Sequence, residues 1–462
     1  MIEMTLAEVA DVVGGTAHGD AVVTGGAFLD TRTPEPGGLF VALVGDRVDG
    51  HGFAAAAGEA GAVAVLGSRP TDLPTVVVDD VTVALGLLAR HVVDRLDVVV
   101  LAMTGSQGKT GTKDYLAHLL AESGPTVATR GNFNNELGVP LTVLRATPET
   151  RFLVVEMGAR GVGHIARLCD IAPPHVAAVL NVGTAHIGEF GSREAIAEAK
   201  SEIVEALAPD GTAVLNADDD LVRAMAARTS AGVTTFGVEG ADVAVGEVTT
   251  DDLGRQSFEL VHRGSGATVH LAQVGAFQWH NAAAAAAMAL AVGLDLDTVA
   301  DALGDAEPAS RWRMELGERA DGLVVLNDSY NANPESVRAA LDTLAGIGAR
   351  SGRRTVAVLG EMLELGDGAR AAHHDVGAYA AEVGVDVLVT VGPAADPISE
   401  GHDAAGGGGV SIPTAGRDAA IDWLRHNVSA ADVVLVKASR GAALELIAEE
   451  LLLPEDEGSR TR

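Results

Sequence analysis

The clearest chemical signal is the turn at 104–110, Thr-Gly-Ser-Gln-Gly-Lys-Thr, which directly follows the apolar run at 98–103. Backbone N–H groups in a glycine-rich turn can cradle phosphate oxygens, and the start of a following helix adds positive potential. Lys109 would reach the β- and γ-phosphates, and the Thr110 hydroxyl would hold Mg²⁺. Met103 stands where the general GxxxxGK[ST] pattern has its first glycine. The alternative is a strand–helix turn that binds no ligand. The predicted nucleotide-binding residues here are Gly105, Ser106, Gln107, Gly108, Lys109, Thr110 and Gly111.

Two further residues follow apolar strands and would lie near this turn. Glu156 ends the run RFLVVE, and His186 follows the run VAAVLNVG. The carboxyl ends of parallel strands meet at one edge of a sheet, which is where ligands bind in open α/β sheets. A carboxylate and an imidazole at that edge can ligate or orient a second divalent ion. Each residue also has an ordinary explanation when it is taken singly. Glu156 could be a solvated glutamate at the end of a strand, and His186 could be a hydrogen-bonded histidine of the core.

Lys200 lies in the helix-like run AIAEAKSEIVEAL between Glu198 and Glu202. The ordinary interpretation is a surface lysine with acidic partners. Composition favours a special role, because the chain has only four lysines among its 32 basic residues and uses arginine for the rest. An amine can lose its proton, whereas a guanidinium cannot.

Two segments are dense in amide side chains. The first is GNFNNELGVP at 131–140, and the second is NDSYNANPES at 327–336. Amides can recognise a neutral polar substrate through several hydrogen bonds. Ordinary Asn/Gly loops are the alternative, and Pro334 followed by Glu335 also marks the start of a helix.

The elements that would position these residues fall into three blocks, predicted as domains at 1–96, 97–309 and 310–462. The first alternates short strands with glycine-rich turns. The second alternates apolar strands with helical segments, the pattern of a parallel sheet covered by helices. The third repeats that pattern and predicts a second doubly wound sheet. We expect the tail at 454–462 to be disordered.

Composition excludes several classes of protein. The 462 residues carry a formal net charge of −32 with a pI near 4.6, which argues against binding to nucleic acid or an anionic membrane surface. The single cysteine, Cys169, excludes an internal disulfide and fits a reducing compartment. The acidic start lacks the features of a signal peptide, and the apolar runs are too short to span a bilayer. We therefore expect a soluble cytoplasmic protein.

Taken in order, the motifs resemble those of the Mur ligase family. The resemblance runs through almost the whole chain and is carried by LDTRTPEPGGLFVALVGDRVDGHGF, TGSQGKTGTK, GNFNNELGVPLTVL, VVEMGARGVGHI, NVGTAHIGEFGS, AKSEI, NDSYNANPESV, VLGEMLELG and VKASRGAA. It implies an α/β protein of three domains. These would be a small N-terminal UDP-binding domain, a central P-loop ATPase domain with a parallel sheet, and a C-terminal Rossmann-like domain that receives the incoming substrate.

Residue roles carried over from the family are expectations from this resemblance. Lys109, Glu156, His186 and Lys200 would be catalytic. Thr110, Glu156, His186 and Lys200 would hold two Mg²⁺ ions, with Lys200 as a carbamate. Further nucleotide contacts would come from Asn281, Arg311, Asp328, Tyr330 and Asn331. The motif slightly favours Arg311, and Arg313 is the alternative. Substrate contacts would come from Thr31, Arg32, Asn134, Asn135, His373, Ser439 and Arg440.

The activity that the resemblance implies is ATP-dependent amide formation in peptidoglycan precursor synthesis. An acyl phosphate would form on UDP-N-acetylmuramoyl-tripeptide, and D-alanyl-D-alanine would then displace the phosphate. The two amide-rich motifs favour a dipeptide over the single amino acid that other Mur and folylpolyglutamate-type ligases add. A non-catalytic nucleotide-binding regulator is a further alternative. The expected oligomeric state is a monomer. The sequence leaves open whether the third residue of the tripeptide is lysine or meso-diaminopimelate.

Overall fold

The structure of the chain is a computed structural model that describes residues 1–45, 48–183, 190–238 and 240–453. The chain divides into two compact units. The first is formed by Met1–Val182, Arg193–Gly237 and Ala284–Asp295, and the second chiefly by Val238–Ala283 and the chain from Leu296 onward. The predicted His186 and the tail at 454–462 lie outside the described residues.

The first unit begins with a small five-stranded sheet and a two-stranded ribbon. The strands are β1 (Met4–Thr5), β2 (Thr16–His18), β3 (Val22–Val23), β4 (Ala27–Phe28), β5 (Leu39–Val41), β6 (Ala64–Gly67) and β7 (Thr75–Val77). The sheet order is β2-β7-β6-β5-β4, with only the β2–β7 pair antiparallel, and β1 pairs with β3. The helices here are α1 (Leu6–Val13), α2 (Ala54–Glu59) and α3 (Val81–Arg95).

The first unit also contains six parallel strands in the order β9-β10-β8-β11-β12-β13. They are β8 (Val99–Thr104), β9 (Thr126–Ala128), β10 (Phe152–Glu156), β11 (Val176–Val179), β12 (Thr212–Asn216) and β13 (Gly232–Gly237). Their helices are α4 (Lys109–Ala121), α5 (Gly138–Val143), α6 (His164–Ile171), α7 (Arg193–Glu205) and α8 (Asp220–Arg223). Strand β8 lies between β10 and β11, so the carboxyl ends of these three strands converge.

The second unit begins with antiparallel strands, which the sequence pattern did not predict. They are β14 (Val243–Val245), β15 (Thr249–Thr250), β16 (Arg255–His262) and β17 (Ser265–Val274). Strand β16 pairs antiparallel with the other three. The β16–β17 turn has two residues, Arg263 and Gly264, both with positive φ, as the right-handed twist of a hairpin prefers.

A six-stranded sheet follows, in the order β18-β19-β23-β20-β21-β22. Its strands are β18 (Glu315–Glu318), β19 (Val324–Asn327), β20 (Arg354–Leu359), β21 (Val387–Val391), β22 (Val410–Thr414) and β23 (Asp432–Lys437). All its pairs are parallel except β18–β19. The last strand, β23, lies between β19 and β20, which makes a topological switch point. Helix α10 (Leu296–Asp305) packs against β17. The helices that accompany the six-stranded sheet are α11 (Pro334–Ser351), α12 (Ala369–Glu382), α13 (Asp396–Ala405), α14 (Arg417–Asn427) and α15 (Glu445–Leu452).

Alternate residues of these strands face two separate cores. In β20, Ala357 and Leu359 belong to one buried cluster, whereas Val356 and Val358 belong to the other. Such two-sided burial explains why the strands are continuous apolar runs. The fold is therefore the predicted mixed α/β architecture with doubly wound parallel sheets.

One further helix, α9 (Gln278–Ala291), begins in the second unit and ends in the first. It contains the alanine run 282–287, whose residues are all buried, as expected of a closely packed helix. Short 3-10 helices lie at Gly50–Phe53, Ala224–Arg228, Gly366–Gly368, Pro393–Ala395 and Arg440–Ala442. Within the described ranges, every helix is too short or too polar to cross a bilayer.

Candidate active site

The predicted phosphate-binding turn joins β8 to α4. Gly108 occupies the position before the helix with a φ of 81°, a left-handed conformation that glycine adopts without strain. A Cβ added at Gly105 would lie 2.9 Å from the Leu180 side chain, so this glycine allows a close approach to the end of β11. The Lys109 Nζ donates to the Gly105 carbonyl oxygen at 2.7 Å, and Gly111 lies in the first turn of α4. The sequence therefore folds here as the P-loop pattern predicted.

Asn181, just after β11, fixes the path of this turn. Its carbonyl oxygen accepts from the Ser106 N–H at 3.2 Å, and its Oδ1 accepts from the Gln107 N–H at 2.9 Å. Its Nδ2 in turn donates to the Gln107 carbonyl oxygen at 3.1 Å. Asn181 is the first residue of the motif NVGTAHIGEFGS, for which the sequence predicted no role at this position. Its position directly after a strand beside β8 was the available signal.

Glu156 ends β10, and the register places it opposite Met103 of β8, one residue before the turn begins. Its side chain is buried, with 2% of the residue exposed. One carboxylate oxygen accepts from the Thr110 hydroxyl at 3.0 Å, and the other accepts from the Asn134 amide at 2.7 Å. The structure thus brings Glu156 and the P-loop threonine together, as predicted.

Lys200 lies in α7 and is buried, with 7% of the residue exposed. Its two acidic neighbours are engaged elsewhere. Glu198 pairs with Arg228, and Glu202 accepts from the N–H groups of Gly163 and Ala166 at the start of α6. Among the described residues no acidic group forms an ion pair with Lys200, which excludes the interpretation as a salt-bridged surface residue.

Burial, together with the nearby Lys109 ammonium, lowers the pKa of Lys200 from 10.5 to about 7. At neutral pH a large share of the amine is consequently unprotonated and nucleophilic. Two lysines on one site also concentrate positive charge there whenever both carry a proton. The first unit therefore contains a candidate phosphate-binding site, in which two lysines lie near a buried carboxylate and the P-loop hydroxyl. Its residues are Lys109, Thr110, Glu156 and Lys200.

The described residues contain no group of three or more His, Cys, Asp or Glu side chains that is placed to hold a metal ion. Mg²⁺ commonly takes only one or two protein carboxylates and completes its coordination with substrate phosphates and water. A buried carboxylate beside the P-loop hydroxyl matches that requirement, so Glu156 and Thr110 fit an Mg²⁺–nucleotide complex.

The predicted substrate residues of the first unit make contacts within the protein. Asn134 binds Glu156, and the Asn135 Oδ1 accepts from the N–H groups of Leu137 and Gly138 at the start of α5. Arg32 forms a salt bridge with Asp30 at 2.6 Å and is largely exposed. Thr31 lies between these two residues and is partly exposed.

In the second unit, Asp328 lies at the switch point of the six-stranded sheet. The Lys437 Nζ, at the end of β23, donates to the Asp328 Oδ2 at 2.5 Å and to the Asn331 carbonyl oxygen at 2.9 Å. The other oxygen of Asp328 accepts from the Met314 N–H at 3.2 Å. Burial lowers the pKa of Lys437, and Asp328 opposes that effect. The pair fixes the segment that carries the predicted nucleotide contacts Asp328, Tyr330 and Asn331.

The two candidate arginines differ in their surroundings. The Arg313 guanidinium lies 4.4 Å from the centre of the Tyr330 ring, and its Nε is buried without a hydrogen-bond partner in the described structure. Arg311 is largely exposed and pairs with Glu449 at 3.2 Å. The surroundings favour Arg313 as a ligand contact, whereas the motif slightly favoured Arg311.

The predicted dipeptide residues lie in the same unit, His373 in the first half of α12 and Ser439 and Arg440 directly after β23. The buried His373 accepts from the Met362 N–H through Nε2 at 2.9 Å, and the Ser439 hydroxyl accepts from the Leu363 N–H at 2.9 Å. Both side chains therefore hold the loop after β20. Arg440 pairs with Glu445 and lies 4.1 Å from the Trp312 ring centre.

Asn281 lies in α9, in the second unit. It is buried and donates to the Gln278 Oε1 at 3.2 Å.

Comparisons with known proteins cover nearly the whole chain. Three family models match, described as "Mur ligase family, catalytic domain" at 26–94, "Mur ligase middle domain" at 103–289 and "Mur ligase, glutamate ligase domain" at 312–440. A curated relative from Mycobacterium tuberculosis, named UDP-N-acetylmuramoyl-tripeptide–D-alanyl-D-alanine ligase, is 43% identical over 99% of each chain.

Solved structures agree with these matches. A crystal structure of MurF from Acinetobacter baumannii superposes with a TM-score of 0.84 and 33% identity, covering 97% of this chain and 99% of that one. MurF ligase from Thermotoga maritima in complex with ADP gives a TM-score of 0.78 and 31% identity, covering 93% and 98%.

Proposed function

Because the chain belongs to the Mur ligase family, we propose that it joins D-alanyl-D-alanine to UDP-N-acetylmuramoyl-tripeptide with hydrolysis of ATP to ADP and phosphate. The observation that carries the proposal is the contact between the P-loop Thr110 and the buried Glu156, in a chain that matches D-alanyl-D-alanine ligases along 99% of its length. Since the reaction consumes ATP, we place it in the cytoplasm. We propose that the enzyme acts as a monomer.

In the first step, the terminal carboxylate of the tripeptide would attack the γ-phosphate of ATP. A new O–P bond forms, the bond to ADP breaks, and an acyl phosphate results. Both reactants are anionic, so catalysis rests on positioning and charge neutralisation. Lys109 would hold the phosphates, and Thr110 and Glu156 would hold Mg²⁺. The ion would supply charge neutralisation on the transferring phosphoryl group.

Lys200 would serve this site as a carbamate. A neutral amine adds to CO₂, forming an N–C bond and releasing one proton, and it thereby becomes a carboxylate-like ligand. The burial of Lys200, its lowered pKa and the absence of an acidic partner for it among the described residues support this modification. We propose that the carbamate and His186 hold a second Mg²⁺, although His186 lies outside the described residues.

In the second step, the free amine of the dipeptide would attack the acyl carbon, and phosphate would leave. We propose that Ser439 and Arg440 contact the dipeptide, with His373 holding the neighbouring loop. Thr31 and Arg32 would contact the UDP moiety, Asn135 would contact the UDP-linked substrate, and Asn281, Asp328, Tyr330 and Asn331 would contact the nucleotide. Arg313 is the better-placed of the two candidate arginines, because Arg311 is exposed and paired with Glu449.

A substrate panel tests this function. Phosphate release is measured with ATP, Mg²⁺ and UDP-muramoyl tripeptides that contain either lysine or meso-diaminopimelate, with D-alanyl-D-alanine or with single amino acids. We expect release that depends on both the tripeptide and the dipeptide. Release with single amino acids alone would favour the related ligases. ATP binding without release under the complete mixture would indicate a regulator.

A further inference from the structure

Asn134 lies in the amide-rich loop that the sequence assigned to substrate recognition, but its side chain points to Glu156. Its Nδ2 donates to the Glu156 Oε1 at 2.7 Å. Because an ionised carboxylate only accepts hydrogen bonds, an amide NH₂ is a suitable partner. The other Glu156 oxygen receives the Thr110 hydroxyl at 3.0 Å. Two neutral donors therefore fix the orientation of this buried carboxylate.

The backbone on both sides strengthens this arrangement. The Glu156 N–H donates to the Thr129 hydroxyl at 3.0 Å, and the Gly158 N–H donates to the Asn134 carbonyl oxygen at 2.8 Å. The loop with Asn134 and the end of β10 are thus tied at two further points. Glu156 is held in place by the loop as well as by its own strand.

Gly158 provides the space in which the Asn134 amide lies. A Cβ at this position would lie 2.8 Å from the Asn134 Oδ1 and 3.1 Å from its Cγ. The atoms nearest to such a Cβ belong to the movable end of a side chain, so a methyl group there would displace the amide without moving the backbone. The lack of a side chain at residue 158 therefore permits the Asn134–Glu156 bond.

We propose that Asn134 is a positioning residue that orients Glu156 toward the divalent metal, and that Gly158 is small because it must accommodate the Asn134 amide. The inference rests on the proposed function, in which Glu156 holds Mg²⁺. An ionised carboxylate offers about four acceptor positions. The Asn134 and Thr110 bonds occupy two and leave the others for a cation. Partners behind a metal ligand typically contribute 10- to 100-fold to metal affinity or activity.

The test measures Mn²⁺ binding in the presence of a non-hydrolysable ATP analogue, with free Mn²⁺ quantified by electron paramagnetic resonance. Asn134→Leu removes the donor at similar volume, and Gly158→Ala leaves Asn134 intact but displaces its amide. We expect both variants to weaken Mn²⁺ binding by roughly 10- to 100-fold, with the thermal unfolding temperature close to that of the parent. Asn132→Leu is the matched control, because residue 132 is exposed in the same loop, and we expect its Mn²⁺ affinity to match the parent.

The outcomes separate this inference from the proposed function. A parent protein that binds no Mn²⁺ with the analogue, or that releases no phosphate with the full substrate mixture, would contradict the proposed function itself. The positioning role is tested when the parent does both. If Asn134→Leu then has normal Mn²⁺ affinity and a raised KM for the UDP-tripeptide, the positioning role is refuted and Asn134 is assigned to substrate binding. If Asn134→Leu does not fold, Gly158→Ala decides, since normal Mn²⁺ affinity in that variant refutes the inference.

Discussion

The buried Lys200 should give the protein a stability that rises with pH above neutrality. In the folded chain the pKa of this amine is lowered to about 7 from 10.5. Between these two values the unfolded chain binds a proton that the folded chain does not, so the free energy of unfolding increases with pH. The main cause of the lowered pKa is burial, since only 7% of the residue is exposed. Repulsion from the Lys109 ammonium lowers the pKa further.

The size of the effect follows from the two pKa values. The penalty for burying the amine falls by about 2 kcal/mol between pH 7 and pH 9. Each pH unit between the two pKa values lowers the penalty by at most about 1.4 kcal/mol, and the change is smaller near pH 7 because the folded amine is still half protonated there. Below pH 7 both states bind the proton, so the contribution changes little. Lys200→Met removes the titrating group, and the difference in unfolding free energy between parent and variant isolates it from the other ionisable residues.

The measurement is urea unfolding of parent and Lys200→Met at several pH values in buffers freed of CO₂. We expect the parent to gain about 2 kcal/mol relative to the variant from pH 7 to pH 9. Added bicarbonate should stabilise the parent further, since near pH 7 the folded chain has more of the neutral Lys200 amine that forms a carbamate than the unfolded chain has. ¹³C-labelled bicarbonate should give a carbamate signal that the variant lacks. A pH-independent difference between the two proteins would refute the argument.

Further substitutions test the proposed roles one at a time. Lys109→Ala should abolish dipeptide-dependent phosphate release, and near-normal turnover would contradict the phosphate-binding role. Lys200→Arg places a permanent cation at this position and cannot form a carbamate, so we expect a severe loss of activity that short carboxylic acids partly rescue. An Arg variant as active as the parent would exclude the carbamate. Arg313→Ala should raise the KM for ATP roughly 10- to 100-fold, as expected for a hydrogen bond to a charged group, and more than Arg311→Ala does. A larger rise in the KM for ATP in Arg311→Ala than in Arg313→Ala would assign the nucleotide contact to Arg311.

The sequence predicted the parallel sheets because their signal is local. Apolar runs such as 98–103 are followed by glycine-rich turns and helices, and this alternation leads to strands with helices on both faces. The antiparallel strands β16 and β17 were missed within the block assigned to strand–helix units. Their turn is Arg263–Gly264, and arginine at a position with positive φ lacks the Asn-Gly or Asp-Gly signal by which such hairpins are usually found.

In the candidate site, too, residues with a local sequence signal could be predicted and residues whose contacts depend on the fold could not. Glu156 was predictable at the sheet edge, since parallel strands end together and its place directly after an apolar run is visible in the chain. The contacts of Asn134 and Glu202 could not be predicted. They depend on the path of a loop and on the packing of helices, which the periodicity of the sequence does not determine. Asn134 was assigned to substrate and binds Glu156, whereas Glu202 was considered beside Lys200 and accepts from the start of α6. A polar residue in a motif thus shows that a donor or acceptor is needed, and only the fold shows which group it serves.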